Sequence, residues 1–308
     1  MAIDYSECSA KAPMDNAANM PSEKYTSSFK KNTMDPPTWL RKGTEGNSTC
    51  SLTITIPESM GPPVFLYYRL NNFYQNHRRY VQSMYLEQML GKYVDNATIQ
   101  KSTCEPLTTD PKTKKAYYPC GLIANSVFND TVSNLTAVGT TTAEEYTMAK
   151  KGIAWSSDKE IIKNTQYKNW EVVPPPNWRK KYGDYYSDEN PIPQLGDDED
   201  FMVWMRTAAL PSFSKLWGRN DTTPLEEGHY KLDIKDGMYG SISTNLLSAN
   251  TNIDFDVTKY GGEKWILLST RTAVGGRNPF MGIAYVVVGG TCVLLGTLFT
   301  IAHLVRPR

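Results

Sequence analysis

The stretch SLTITIPESMGPPVFLYYRL, residues 51–70, indicates the fold class most clearly. Residues 51–56 alternate along the chain and include β-branched side chains, a pattern typical of a β-strand. The proline- and glycine-containing residues 57–63 predict a turn, and residues 64–70 predict a second strand. This part of the chain therefore predicts two early strands joined by a turn.

The later part of the chain adds four stretches that predict consecutive strands with turns between them: HYKLDI (229–234), GSISTNLL (240–247), NIDFDVTKY (252–260) and KWILLST (264–270). Two early and several late strands predict a mainly β fold, an antiparallel β-sandwich-like domain with helical and long loop insertions. The first fifty residues mix proline, asparagine, serine and lysine, so we expect an irregular arm there, held by a disulfide.

The C-terminal stretch MGIAYVVVGGTCVLLGTLFTIAHLV, residues 281–305, contains no acidic or basic residue except His303. About 20 apolar residues are enough to span a bilayer as a helix. We therefore predict a large domain over residues 1–279, a transmembrane helix over 280–305 and a cytosolic tail that begins at 306–308. A buried core helix is the competing interpretation.

One side of this helix carries mostly small residues. At 100° per residue, a narrow arc contains Gly282, Tyr285, Gly289, Cys292, Gly296, Thr300 and His303. Small residues let a second helix approach closely in lipid, so this face predicts contact with a partner helix. The alternative is that glycine is simply common in membrane helices.

Glycosylation motifs indicate which side of the membrane holds the large domain. Five N-x-[ST] motifs precede the predicted helix and none follows it: Asn47, Asn96, Asn129, Asn134 and Asn220. This distribution favours a lumenal or extracellular domain with N-linked glycans. No other cofactor is expected.

The cysteines agree with an oxidising compartment. Cys8, Cys50, Cys104 and Cys120 form an even set outside the predicted helix, and Cys292 lies within it. Four cysteines allow three pairings, of which we favour Cys8–Cys50 and Cys104–Cys120 because they join neighbours in sequence. The N-terminal residues lack a charged and an apolar targeting region, so an upstream targeting segment is expected.

The stretch NNFYQNHRRYVQSMYLEQML, residues 71–90, has a helical period. Asn71 or Asn72 is a candidate N-cap, and one face would contain Phe73, Tyr74, His77, Tyr80, Val81, Met84 and Tyr85. We predict an amphipathic helix with His77 packed on its aromatic face, rather than a catalytic or metal-binding histidine.

The acidic run Asp197–Asp200 resembles a metal or acid/base cluster, but it lacks the ligand spacing of a calcium loop. Carboxylates also favour a helix N-terminus, and the spacing after Asp200 predicts a helix that continues until Pro211. The preceding residues 173–200 predict a long ordered loop whose aromatic side chains pack against the domain: Trp178, Tyr182, Tyr185 and Tyr186.

The composition argues against several classes of function. With 33 basic and 32 acidic residues, the chain lacks the basic field that nucleic acid requires. The sequence contains no P-loop, dinucleotide-binding or zinc-protease motif and no nucleophile elbow. A glycosidase-type pair of carboxylates remains open, as do a membrane-anchored ecto-enzyme acting on glycans or lipids and a stand-alone receptor-like glycoprotein.

Five longer stretches resemble one family. They are NNFYQNHRRYVQS (71–83), YPCGLIANSVFNDT (118–131), GIAWSSDK (152–159), DEDFMVWMRTAALPSFSKLWG (198–218) and GGRNPFMGIAYVVVGG (275–290). In this order they resemble the accessory, non-catalytic subunits of the type IV P-type ATPases, the phospholipid flippases. The resemblance covers nearly the whole chain.

The resemblance implies a glycosylated exoplasmic domain between two membrane helices. Residues 3–8 resemble the segment directly after the first of these helices, so that helix is expected upstream. The resemblance also implies a Cys104–Cys120 disulfide and a glycan on Asn129. The implied role is that of a heterodimer partner of the catalytic ATPase, in contact with membrane lipids and without chemistry of its own. Such a subunit supports folding, exit from the endoplasmic reticulum and transport, and it resides in the secretory or endosomal pathway or the plasma membrane.

Overall fold

The computed structural model describes residues 1–31, 35–43, 48–139, 144–235, 237, 257–271 and 279–306. It divides into two units, Met1–Thr270, called the large domain here, and Arg271–Arg308. The strands are β1 (Ala2–Asp4), β2 (Ala18–Asn19), β3 (Tyr25–Thr26), β4 (Thr38–Lys42), β5 (Thr49–Ile56), β6 (Val64–Leu70), β7 (Ala116–Tyr117), β8 (Thr131–Val132), β9 (Leu135–Val138), β10 (Glu145–Tyr146), β11 (Val172–Val173), β12 (Phe213–Asn220), β13 (Gly228–Lys235) and β14 (Lys264–Ser269).

The α-helices are short within the large domain and long in the second unit. They are α1 (Cys8–Lys11), α2 (Arg78–Gln82), α3 (Leu86–Met89), α4 (Asn96–Gln100), α5 (Leu122–Asn125), α6 (Ser156–Ile161), α7 (Arg179–Tyr182), α8 (Glu199–Met205) and α9 (Pro279–Val305). Single 3₁₀ turns are found at Ser22–Lys24, Pro176–Trp178, Leu195–Asp197 and Val257–Tyr260.

Two antiparallel sheets form the large domain, as the sequence predicted. One has the strand order β12-β6-β14-β1-β3, and the other has the order β10-β9-β13-β5-β4-β2, with β8 also paired to β13. The predicted early strands are β5 and β6, and two of the predicted late strands are β13 and β14. A third, two-stranded sheet pairs β7 and β11 in parallel.

The two main sheets share one apolar core. On β5 the side chains of Leu52, Ile54 and Ile56 are buried in alternation, as expected of a strand with one face inward. On β6 five consecutive residues, Val64–Tyr68, are buried. The ring of Phe128 stacks 4.0 Å from that of Tyr68 on the core face, and the Arg219 guanidinium lies 5.4 Å from the ring of Phe65 on the other face. The helical insertions therefore lie against the sheet rather than apart from it.

The N-terminal arm is less irregular than predicted. Its strands β1 and β3 join the first sheet through β14, and β2 and β4 join the second sheet through β5. The composition of these strands gives little indication of β-structure, because their pairing depends on backbone hydrogen bonds to other parts of the chain. For β1 the partner strand lies more than 200 residues away in sequence.

The continuous helix predicted over residues 71–85 is wrong. The chain is irregular up to His77, which precedes α2, and it breaks again at Ser83 before α3. His77 is exposed, so the prediction that it packs on an aromatic face is wrong as well. The buried Gln75 accepts a hydrogen bond from the backbone of Ala208 (2.9 Å), and the Ser83 hydroxyl donates to the Glu105 carbonyl (2.8 Å). These side-chain bonds tie both residues to distant parts of the fold, while their backbone N–H groups make turn bonds to the carbonyls of Phe73 and Tyr80 rather than the bonds of one continuous helix.

Other predicted elements differ in extent. The strand predicted at 240–247 lies wholly outside the described residues. Of the strand predicted at 252–260, only Val257–Tyr260 is described, and these residues form a 3₁₀ turn. The helix after Asp200 ends at Met205 rather than near Pro211, because Lys215 Nζ donates to its last carbonyls. The 173–200 loop contains α7 and two 3₁₀ turns.

The aromatic side chains of that loop pack as predicted, with one exception. Tyr186 is buried, and Trp178 and Tyr182 are half-buried with ring centroids 5.8 Å apart. Tyr185 is exposed, which corrects the prediction that it packs inward. Only one of these two consecutive tyrosines can face the core at this bend of the chain.

Candidate functional site

Helix α9 has the length and composition of a membrane span. Its run Ile283–Val305 has 23 residues and a mean hydropathy of 2.0. At 1.5 Å per residue it is about 35 Å long, enough for a hydrocarbon core of about 30 Å. The helix is therefore a candidate membrane anchor.

The predicted partner face of α9 contains several small residues, and the polar group of Thr300 among them is satisfied within the helix. The Thr300 hydroxyl donates to the carbonyl of Gly296 over 2.8 Å, so it needs no partner from another helix. A Cβ built on Gly289 or Gly296 meets no atom of the described chain within 4 Å. Packing within this chain therefore does not require glycine there, and the assignment of this face to a partner helix stays a prediction.

The four cysteines outside α9 form two disulfides in the large domain. Cys8–Cys50 ties α1 to β5 across 42 residues of sequence, and Cys104–Cys120 closes a loop with a separation of 16. All four side chains are buried. Cys292 is free and exposed on α9.

Four of the five predicted glycosylation sites fall among the described residues, and Asn47 lies outside them. Asn96 is exposed at the start of α4, and Asn134 and Asn220 are half-buried. Asn129 is also half-buried, and its side-chain amide donates to the carbonyl of Gly237. All four lie in the large domain.

Each carboxylate of the acidic run has a structural partner. Asp197 accepts from the Asn164 amide (3.0 Å), and Asp198 caps α8 by accepting from the backbone of Phe201 (2.9 Å). Glu199 pairs with Lys159 (2.7 Å), and Asp200 with Lys150 (2.9 Å). No group of three or more potential metal ligands occurs within the described ranges. This geometry supports a structural role for the run.

A cavity of about 550 Å³ lies beside the Asn129–Thr131 segment. The Lys150 ammonium lies in its wall, 3.5 Å from the centroid of Trp217 and bound to both carboxylate oxygens of Asp200. Burial raises the pKa of Asp200 and lowers the pKa of Lys150, because both charged forms lose water; their mutual attraction opposes both shifts. Lys150 and Asp200 therefore form an ion pair in a wall that also contains Lys180, Lys181 and Lys235.

An exposed tryptophan was not singled out by the sequence reasoning. Trp155 is 63% exposed, yet the guanidinium of Arg206 lies 4.2 Å from its ring centroid and also pairs with Asp158 (3.2 Å). A tryptophan held in this way loses little conformational freedom on binding, and tryptophan and arginine often anchor protein interfaces. The sequence feature that could have indicated this residue is the stretch GIAWSSDK (152–159). Within it, Asp158 accepts a hydrogen bond from the Trp155 backbone (3.0 Å).

Comparison with known proteins gives a match over the whole chain. The profile of the LEM3 (ligand-effect modulator 3) family, also called the CDC50 family, matches residues 1–308. The phospholipid-transporting ATPase accessory subunit CDC50 of Chaetomium thermophilum is 39% identical, covering 99% of this chain and 75% of its own length. The accessory subunit CRF1 of Saccharomyces cerevisiae is 37% identical over 100% of this chain and 73% of its own length. Cell cycle control protein 50A of Bos taurus is 36% identical over 82% of this chain and 68% of its own length.

Proposed function

Because this chain belongs to the CDC50/LEM3 family, we propose that it is the non-catalytic accessory subunit of a phospholipid-transporting P-type ATPase. The observation that carries the proposal is the similarity over nearly the full chain to relatives named as accessory subunits of such ATPases. The subunit supports the folding of the catalytic chain, its exit from the endoplasmic reticulum and its transport activity.

The division into two units supports a two-part contact with the ATPase. The glycine face of α9 would pack against a membrane helix of the partner, since small residues allow close approach in lipid. The large domain would cover the exoplasmic loops of the ATPase, with Trp155 as one candidate anchor. Contacts of this kind change the transport cycle only through different affinities for its conformations.

The large domain faces the lumen or the cell exterior in this proposal. Two buried disulfides suit an oxidising compartment, and the sequons that precede α9 suit N-linked glycosylation there. The protein is then an integral membrane glycoprotein of the endoplasmic reticulum, Golgi, endosome or plasma membrane. The ATP-dependent chemistry belongs to the catalytic chain.

Expression of the catalytic chain with and without this subunit tests the proposed role. With the subunit, the ATPase should leave the endoplasmic reticulum and move fluorescent phospholipid to the cytosolic leaflet; without it, most of the ATPase should stay behind. Equal export and equal transport in both cases would contradict the proposal.

A further inference from the structure

The cavity beside Asn129 differs from the surroundings of the other described sequons. Asn129, Asp130 and Thr131 all line it, so a sugar attached to the Asn129 amide begins inside the cavity. Asn96, by contrast, lies exposed on α4. The Asn129 amide nitrogen has two protons, so one can be replaced by a sugar while the other still donates to the Gly237 carbonyl.

The backbone of this sequon is held rigidly. The Asp130 carboxylate, 1% exposed, pairs with Lys264 (3.2 Å) and accepts hydrogen bonds from the Tyr5 hydroxyl (2.8 Å) and the Gly237 backbone (3.0 Å). These contacts fix the direction in which Asn129 leaves the chain. A fixed attachment point lowers the entropy lost when the first sugar settles against the protein.

The cavity wall combines aromatic faces with hydrogen-bonding groups. The rings of Trp178 and Tyr182 are stacked with an interplanar angle of 23°, and both line the cavity together with Phe128 and Asn177. Apolar and aromatic walls with a few polar groups are typical of small-molecule sites, and a volume of about 550 Å³ lies within their usual range. A pyranose ring has an apolar face and a polar rim that match such a wall.

The charged groups of the wall include both carboxylates and ammonium groups. The carboxylates of Asp130, Asp198 and Asp200 are engaged by Lys264, by the N-terminus of α8 and by Lys150, respectively, so a metal ion would have to compete with these contacts. Lys180, Lys181 and Lys235 also line the cavity, and an ammonium group can donate hydrogen bonds to the hydroxyl and amide oxygens of a sugar. We propose that this cavity is the seat of the N-acetylglucosamine core of a glycan attached to Asn129, so that the modification fills a preformed site of the fold.

The proposal rests on the lumenal placement of the large domain, and native deglycosylation tests it. The full chain, produced with high-mannose glycans, is treated while folded with an endoglycosidase that cuts between the two core N-acetylglucosamine units. Glycopeptide mass spectrometry follows Asn129 and Asn96 separately. The Asn129 glycan should be released about tenfold more slowly than that of Asn96, and equally fast after denaturation, because the sugar must first leave the cavity.

Variants of Tyr182 distinguish a glycan that binds to the cavity wall from one that is released slowly only because protein surrounds its attachment point. Tyr182→Ala should raise the release rate at Asn129 towards that at Asn96, whereas Tyr182→Phe, which keeps the ring, should not. If Tyr182→Ala does not fold, the wild-type rates alone decide. Equal rates at both sites, or an unmodified Asn129 beside an occupied Asn96, overturn the proposal. If every sequon is unmodified, the lumenal placement fails as well.

Discussion

Asp130 and Lys264 form a buried ion pair that joins the sequon segment to β14, with Lys264 Nζ 3.2 Å from Asp130 Oδ2. Only 1% of the Asp130 side chain and 9% of the Lys264 side chain are exposed. A buried charge that loses its partner is costly, because water cannot replace the lost contact. This pair therefore stabilises the junction between the insertions and the first sheet.

Asp130→Asn should lower the free energy of unfolding by about 3–5 kcal/mol, because it leaves the Lys264 ammonium buried without a counter-charge. The substitution keeps the N-x-[ST] motif, so glycosylation at Asn129 is not removed directly. Thermal unfolding of the purified chain provides the measurement. Glu227→Gln, which breaks the exposed pair with Lys31 (2.8 Å), is the control and should change the midpoint little. Equal shifts for the two variants would contradict the prediction.

Lys215 should make stability depend on pH. Burial lowers its pKa to about 7, helped by the nearby Arg206 and opposed by Asp158. Above pH 7 the folded chain has released a proton that the unfolded chain keeps until about pH 10.4, so the free energy of unfolding rises with pH by up to about 1.4 kcal/mol per unit.

Denaturant unfolding at pH 7, 8 and 9 measures this slope for Lys215. Lys215→Met should reduce it, whereas Lys151→Met, at an exposed lysine, should keep the wild-type slope. The window stays below pH 10, where buried tyrosines such as Tyr80, whose pKa burial raises, begin to oppose the effect. An unchanged slope in Lys215→Met would show that this lysine does not set the pH dependence.

The second disulfide should contribute measurably to stability. Cys104 and Cys120 close a loop with a separation of 16 residues, for which the loss of chain entropy predicts about 3 kcal/mol. The double variant Cys104→Ala/Cys120→Ala should unfold at a lower temperature by an amount that corresponds to this loss. Cys292→Ala removes the free cysteine of α9 and should leave the unfolding of the large domain unchanged. A double variant as stable as wild type would contradict this prediction.

Gly289→Leu should weaken assembly with the ATPase while leaving membrane insertion intact, because a large side chain keeps a partner helix at a distance. Gly290→Leu is the matched control, since it introduces the same side chain about 100° further round the helix. Co-purification of the ATPase with each variant measures the effect. Equal recovery with both variants, or equal loss, would show that the Gly289 face is not the contact.

Local sequence patterns were sufficient for elements whose burial follows a simple period. The alternation at residues 51–56 gave β5, and the apolar run of α9 needed no tertiary information. The segment 71–85 has a helical period as well, but Gln75 and Ser83 use their side chains for bonds to distant backbone groups. Such bonds come from the assembled fold, so no local window of sequence could reveal them.

The candidate site was predictable to a similar degree. The sequons and the small-residue face of α9 are visible as motifs, whereas the cavity beside Asn129 brings together α7, α8, β12 and the sequon. The stacking of Arg206 on Trp155 likewise joins residues about fifty positions apart. Both depend on contacts between segments that are far apart in sequence, which no local pattern reveals.

The composition of the complex that contains this chain tests the central claim most directly. The tagged full-length chain is purified in a mild detergent, and its partners are quantified by mass spectrometry. We expect a phospholipid-transporting P-type ATPase in about one-to-one stoichiometry with this subunit, as befits an obligate heterodimer. A folded chain recovered without any such ATPase, or one that turns over glycans or lipids by itself, would contradict the proposed role.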